Sequence, residues 1–258
     1  MATQRIHIGT SGWSYDHWQG VFYPPGLAAN QRLGYYRHYF RTVEINSSFY
    51  SLPSPDSLRN WYENVPDDFI FAVKASRYIT HMKKLRDSQR PIRKFIHRVG
   101  ELRDKLGPIL FQLPPRWHIN VERMTSFLKM LPRDHRYAVE FRDPTWFTPQ
   151  IYELLAEHSA AFCIFDLNRE LSPMEVTTDF IYLRLHGPNG PYQGQYDDRT
   201  LHHWAESIDR WRREGRDVYC YFDNDEAAYA VQDATRLQDM LKNTGAKHPA
   251  KASPGRRR

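Results

Sequence analysis

Cysteine is almost absent from this sequence, and the little that is there forms no recognisable framework. The 258 residues include two cysteines, Cys163 and Cys220, and each lies inside an apolar run. Two cysteines cannot build a disulfide scaffold, and their spacing is not that of a metal site. We interpret both as buried strand residues of a protein from a reducing compartment.

Long apolar runs and flexible linkers are missing as well. The N-terminal residues lead directly into Ile6-His7-Ile8 without an apolar signal segment. No apolar stretch approaches the roughly 20 residues that cross a bilayer. No Gly/Ser-rich or Pro-rich linker divides the chain. These absences predict one cytoplasmic domain that has no contact with a membrane.

Positive charge is in excess, but the excess lies at the C-terminus. The chain has 36 Lys and Arg against 30 Asp and Glu, a formal net charge of +6. Residues 242–258 hold six of the basic residues and no acidic one, so the rest of the chain is formally neutral. We expect a folded domain over residues 1–242 and a disordered basic tail over residues 243–258.

Eight short runs rich in β-branched, aromatic and other apolar residues recur along the chain. They lie at about residues 5–9, 41–46, 69–74, 108–113, 136–142, 161–166, 180–186 and 217–223. Stretches with helical spacing separate most of them, and Ser54-Pro55 and Thr148-Pro149 are typical helix starts. The pattern predicts an α/β fold, a (β/α)8 TIM-like barrel. The gap between Phe165 and Phe180 is short and contains Pro173, so the helix there should be missing or very short.

Alternation within the runs indicates which side chains enter the barrel. In the fifth run, Tyr137, Val139 and Phe141 oppose Ala138, Glu140 and Arg142, because successive strand residues face opposite sides. The apolar set should face the helices. The polar members of the other set come late in their strands, where barrel enzymes place functional groups: Glu44, Asn46, Lys74, Gln112, Glu140, Arg142, Asp166, Arg184, His186 and Asp223.

Four of these residues are candidates for catalysis. Glu44 and Glu140 are the leading acid/base groups, and His186 suits the same role. Lys74 could be a Schiff-base amine, but acidic neighbours favour a protonated, anchoring side chain. The alternative is that the same charged residues form a buried ion network that holds the barrel together. Both interpretations can be true at once.

The remaining candidates would bind substrate. Arg142 and Arg184, with Lys74, could clamp a phosphate, sulfonate or carboxylate. The mouth of the barrel, its opening at the carboxyl ends of the strands, would also be lined by Asn46, Gln112, Asp166 and Asp223. Aromatic residues that follow strands could stack a sugar or a base, or only pack their loops: Trp13, Tyr15, Tyr50 and Trp146.

Metal binding is the weaker alternative. Glu140, Asp166 and His186 come from successive strands and could together hold one divalent metal. The neighbouring Arg142 and Arg184 argue against a cation there. We therefore expect no resident metal or cofactor.

Short motifs along the chain resemble those of the DUF72 (YecE-like) family. They include Gly9-Thr10-Ser11-Gly12-Trp13-Ser14-Tyr15, Val43-Glu44-Ile45-Asn46, Thr80-His81, Phe111-Gln112-Leu113-Pro114, Val139-Glu140-Phe141-Arg142, Arg184-Leu185-His186-Gly187 and Tyr221-Phe222-Asp223-Asn224-Asp225. The resemblance covers roughly residues 6–242. It implies a TIM barrel and no established reaction.

The sequence favours an enzyme of hydrolase or lyase type acting on a small anionic substrate with a sugar or nucleotide part. One alternative is a nucleic-acid-binding protein that uses mouth aromatics and the basic tail, although a neutral body argues against broad phosphate contact. A single-metal isomerase or phosphodiesterase is the other.

Overall fold

The computed structural model describes residues 5–168 and 170–247, with side chains as far as Asn243. Eight parallel strands and one two-residue strand form its sheet. The strands are β1 Ile6–Thr10, β2 Thr42–Ile45, β3 Ile70–Lys74, β4 Leu106–Gln112, β5 Tyr137–Glu140, β6 Ala160–Leu167, β7 Glu170–Leu171, β8 Phe180–Leu185 and β9 Asp217–Phe222.

The sheet curls into a nearly closed barrel, which confirms the predicted fold. Its order is β1-β9-β8-β6-β5-β4-β3-β2, and the two end strands meet where the amide of Gly12 donates to the carbonyl of Glu44 at 2.8 Å. Gly9 permits this approach, because a Cβ on it would collide with the carbonyl oxygen of Thr42 on β2.

Seven α-helices surround the described part of the barrel. They are α1 Arg32–Tyr36, α2 Pro55–Glu63, α3 Gln89–Val99, α4 Val121–Lys129, α5 Pro149–Glu157, α6 Asp198–Arg213 and α7 Tyr229–Lys247. The predicted helix starts at α2 and α5 are confirmed: Ser54 and Thr148 accept hydrogen bonds from backbone amides three residues on, and proline follows each.

The connection between β6 and β8 is irregular, as the sequence predicted. Among its described residues none is helical, and Glu170–Leu171 instead form β7, antiparallel to the end of β6. At the other end of the chain α7 runs to Lys247, and residues 248–258 of the predicted tail lie outside the described residues. None of the helices in the described ranges has the length and apolar character to cross a membrane.

Two apolar layers flank the strands. The outer layer holds Tyr137, Val139 and Phe141 against the helices. The barrel interior holds Ala72, Leu110, Ala138, Ala161, Cys163, Phe180, Tyr182, Tyr219 and Tyr221. The alternation therefore divides β5 as predicted, and both cysteines are buried strand residues. Above the interior layer, at the carboxyl ends of the strands, the lining becomes polar.

Candidate functional site

Arg184 is the centre of a buried ionic cluster at the carboxyl ends of the strands. Its Nη1 donates to Glu140 Oε2 at 2.9 Å, and its Nη2 donates to Glu44 Oε1 at 2.8 Å and to Asp223 Oδ2 at 2.9 Å. Burial alone would lower the pKa of this guanidinium, but Glu44, Glu140 and Asp223 outweigh burial and raise it well above its usual range. Arg184 is therefore a permanent cation between strands β2, β5, β8 and β9.

Glu44 is held by two hydroxyl groups in addition to Arg184. The Ser11 hydroxyl donates to Oε1 at 2.5 Å, and the Tyr182 hydroxyl donates to Oε2 at 2.7 Å. Because three donors converge on one carboxylate, the side chain is fixed and its charge is compensated. Sequence reasoning did not name Ser11 or Tyr182 as site residues, although Tyr182 lies on the predicted inward face of its strand.

Glu140 bridges two arginines. Its Oε1 pairs with Arg142 Nε and its Oε2 with Arg184, and the carboxylate is completely buried. Burial raises the pKa of Glu140, but the charges of Arg142 and Arg184 outweigh burial, so the pKa lies well below the usual value. Glu140 is thus ionised throughout the neutral range, which suits orienting cations better than delivering a proton.

His186 is held between a cation and an anion. Its Nε2 lies 2.9 Å from Arg142 Nη2, and its Nδ1 lies 3.1 Å from Asp223 Oδ2. An arginine only donates, so Nε2 accepts and the ring proton sits on Nδ1, facing Asp223. Arg184, which is also close to Asp223, helps keep the pKa of that carboxyl below its usual value despite burial. Glu44, Glu140, Arg142, Arg184, His186 and Asp223 are called the ionic cluster below.

Lys74 lies beside the ionic cluster but outside its pairing. Its Nζ sits 4.4 Å from the centre of the Phe49 ring, and no described residue gives this ammonium a hydrogen bond or an ion pair. Burial and Arg184 lower the pKa of Lys74 to about 8, against the opposing effect of Asp223, Glu44 and Glu140. The sequence suggested that the acidic neighbours would control the pKa of Lys74. They do not, because Arg184 already neutralises their charges.

The mouth is electrostatically divided. On the Lys74 side, burial, Lys74 and Arg142 lower the pKa of His81 to about 4, so this ring is neutral at pH 7. On the opposite side, burial and Asp223 raise the pKa of Asp225 to about 6. An anionic group would therefore find its complement near Lys74. His81 belongs to the Thr80-His81 motif, which was the available signal for it.

Two of the predicted polar residues line the mouth and can still form hydrogen bonds with a ligand. Gln112 ends β4 next to Glu140 on β5 and is buried except for 8% of its surface. Asn46 follows β2, and its Oδ1 is buried without a hydrogen-bond partner in the described ranges. An orphaned buried acceptor of this kind is available to a bound hydroxyl or amine.

Asp166 does not join this site, contrary to the sequence-based expectation. The inward residues of β6 are Ala161 and Cys163, so Asp166 faces the other side of the strand. There it interacts with Tyr196, and burial raises its pKa. Asp166 therefore lies on a different face from Glu140 and His186, and among the described residues no group of three or more His, Cys, Asp or Glu side chains is placed so that it could hold a metal ion.

The four predicted stacking aromatics fall into two classes. Trp146 is completely buried, stacks on Phe141 and donates from Nε1 to the carbonyl of Trp117 at 2.5 Å, so it packs a loop instead of facing a ligand. Trp13 is also buried, edge-on against Trp61.

Only Tyr15 and Tyr50 stay near solvent. Tyr15 is half-buried and donates from its hydroxyl to the carbonyl of Ser11 at 2.7 Å. Tyr50 is 68% exposed. Tyr192, in the loop after β8, has its ring 5.6 Å from that of His186 and is a further part of the rim.

Fold and site together define a (β/α)8-barrel protein with a buried ionic cluster at the carboxyl ends of its strands. Residues 7–257 match the family described as "Protein of unknown function DUF72". The chain belongs to this family, as its motifs suggested.

Known relatives agree with this assignment. The chain is 25% identical to the UPF0759 protein YunF of Bacillus subtilis, over 92% of this chain and 94% of that protein. It is 32% identical to the UPF0759 protein YecE of Escherichia coli over 55% of this chain and 50% of that protein. A DUF72 family crystal structure from Thermotoga maritima superposes with a TM-score of 0.84 at 30% identity, covering 92% of this chain and 99% of the other.

Proposed function

We propose that the protein is an enzyme that binds a small anionic substrate at the mouth of the barrel, with Lys74 and Arg142 holding the anion. One observation carries the proposal: the Lys74 side chain is buried except for 6% of its surface, its ammonium group keeps some solvent contact, and no described residue pairs with it. A bound phosphate, sulfonate or carboxylate would supply that partner.

Lys74 also suits the acid/base step of a hydrolase or lyase. A pKa of about 8 lets the amine exchange a proton near neutral pH, where general acid/base groups contribute most. Glu44 and Glu140, which sequence reasoning favoured for this step, would instead orient Arg184 and Arg142. Asn46 and Gln112 could bind the hydroxyl groups of a sugar or nucleotide part.

Anion binding tests the proposal directly. Thermal unfolding would be followed with inorganic phosphate, ribose 5-phosphate and AMP for the wild type, Lys74→Met and Lys129→Met. Ligand at about 100 times Kd stabilises a protein by about 2.7 kcal/mol. Stabilisation of the wild type and of the exposed-site control Lys129→Met, but not of Lys74→Met, is expected. Equal stabilisation of all three proteins, or of none, would contradict the proposal.

A further inference from the structure

The body of the protein is formally neutral, but it contains one strongly basic segment. Residues 77–98 contain eight Lys and Arg and one acidic residue, Asp87. The basic residues are Arg77, Lys83, Lys84, Arg86, Arg90, Arg93, Lys94 and Arg98. This basic segment runs from the end of β3 through α3, and most of its cations are exposed. The protein therefore carries a local positive field at this segment, which can attract a polyanion although the body as a whole is neutral.

Exposed aromatic and thioether side chains accompany these cations. Tyr50, Tyr78 and Met82 are 68%, 43% and 68% exposed, which is unusual for large apolar groups. The Arg77 guanidinium lies 5.7 Å from the Tyr50 ring centre, and the Lys83 ammonium lies 5.9 Å from that of Tyr78. Two ring–cation pairs therefore lie at the exposed surface formed by the segments that follow β2 and β3.

A cavity of about 460 Å³ opens into this surface. Tyr78 and Ile79 line one part of it, and Arg90, Lys94 and Phe95 of α3 line another. An aromatic wall and a pair of cations one helical turn apart would suit a planar base attached to a phosphate.

The backbone around the cavity is irregular. Tyr78–Met82 form a π-helical turn. This geometry is rare in proteins, and where it occurs it is frequently found at functional sites. In the loop that follows, Lys84, Leu85 and Asp87 have positive φ angles of 46°, 64° and 45°. Such backbone conformations are strained and cluster at functional sites.

We infer that this surface binds single-stranded nucleic acid. Bases stack on Tyr50 and Tyr78, with one base entering the cavity, while Arg90 and Lys94 contact phosphates. Single strands fit better than a duplex because their bases are free to stack on exposed rings. Since Tyr78, Arg90 and Lys94 lie outside the ionic cluster, this activity is independent of the enzyme function proposed above.

The test is fluorescence anisotropy of a labelled single-stranded oligothymidylate over a range of salt concentrations, with the full chain throughout. Each lost phosphate contact lowers the slope of log Kd against log salt by about 0.7, so Arg90→Gln with Lys94→Gln should lower it by about 1.4. Tyr78→Ala should weaken binding about 5- to 150-fold and leave the slope unchanged.

The matched control removes the same charge elsewhere. Lys129→Gln with Arg133→Gln changes exposed residues at the C-terminal end of α4 and in the loop after it, and it retains the basic tail. This protein should bind like the wild type. The inference is overturned if the wild type does not bind, if both double variants weaken equally, or if Tyr78→Ala binds normally. Binding to phosphatidylserine vesicles that is lost in the same variants would overturn it in favour of a lipid surface.

Discussion

Arg184 and Glu44 are hydrogen-bonded at 2.8 Å although 140 positions separate them in the chain. The bond joins β8 to β2, which are not neighbours in the sheet, so it crosses the interior of the barrel. Because Arg184 also bonds to Glu140 and Asp223, one guanidinium links four strands. The ionic cluster thus has a structural role whatever chemistry takes place above it.

Arg184→Met should strongly destabilise the protein. The substitution keeps an apolar stem but leaves Glu44, Glu140 and Asp223 buried with their charges under-compensated. Breaking a buried ion pair costs about 3–5 kcal/mol. Urea unfolding would measure the loss, with Arg133→Met at an exposed position as the control. A free energy of unfolding within about 0.5 kcal/mol of the wild type would show that the network contributes nothing.

Glu140→Gln tests the contribution of one buried charge of the same cluster. Glutamine keeps the shape but removes the charge that Arg142 and Arg184 share, so we expect a loss of about 3–5 kcal/mol. The folded-state pKa of Glu140 is depressed, so its contribution is fully present above the unfolded pKa and is lost as pH falls through the folded value.

The difference between wild type and Glu140→Gln should therefore shrink on acidification. Unfolding at pH 7 and at successively lower pH would measure it, with the exposed Glu153→Gln as the control. A difference that stays constant down to the acid transition would exclude this ionisation as the cause.

The site could be predicted from the sequence where polar and apolar residues alternate along a strand, and not elsewhere. In β5 and β8, polar and apolar residues take turns, so Glu140 and Arg184 were placed inward correctly. Strand β6 is apolar on both faces from Ala160 to Phe165, so its sequence gives no face signal, and Asp166 was placed wrongly. The small inward residues Ala161 and Cys163 reveal the register only once the barrel is closed.

Loop aromatics were beyond local sequence reasoning for a different reason. Trp146 and Tyr50 both follow strands, and their sequences do not distinguish them. Trp146 is buried by contacts such as that with Trp117, 29 residues away, whereas Tyr50 has Phe49 and the Arg77 guanidinium beside its ring and still stays exposed. Burial of a loop residue is set by tertiary contacts, which no short pattern contains.

Removing residues 248–258 should leave stability unchanged. These residues lie beyond α7 and carry no apolar face, so the folded domain gains little from them. The free energy of unfolding should stay within about 0.5 kcal/mol of the full chain. Thermal and urea unfolding of both proteins would check this, and a clear loss of stability on truncation would show that the segment docks on the barrel.

Lys74 gives the sharpest prediction about pH. Its folded pKa of about 8 lies below the unfolded value near 10.5, so the unfolded chain binds more protons between these values. Stability must then rise with pH across that window, because the folded state no longer has to hold a buried, unpaired charge. At neutral pH the cost is on the order of 3 kcal/mol, since each pKa unit is worth about 1.4 kcal/mol.

Lys74→Met removes that cost at every pH. The variant should therefore be more stable than the wild type at pH 7, and its advantage should shrink as pH rises from 8 towards 10. Urea unfolding at pH 7, 8, 9 and 10 would follow the difference, with Lys129→Met to correct for general alkaline effects. An advantage that does not change with pH, or a variant less stable than the wild type at pH 7, would show that Lys74 has a partner that compensates its charge. With phosphate or another bound anion present, the wild type should recover stability at pH 7 and Lys74→Met should not, which connects the pH dependence to the proposed substrate contact.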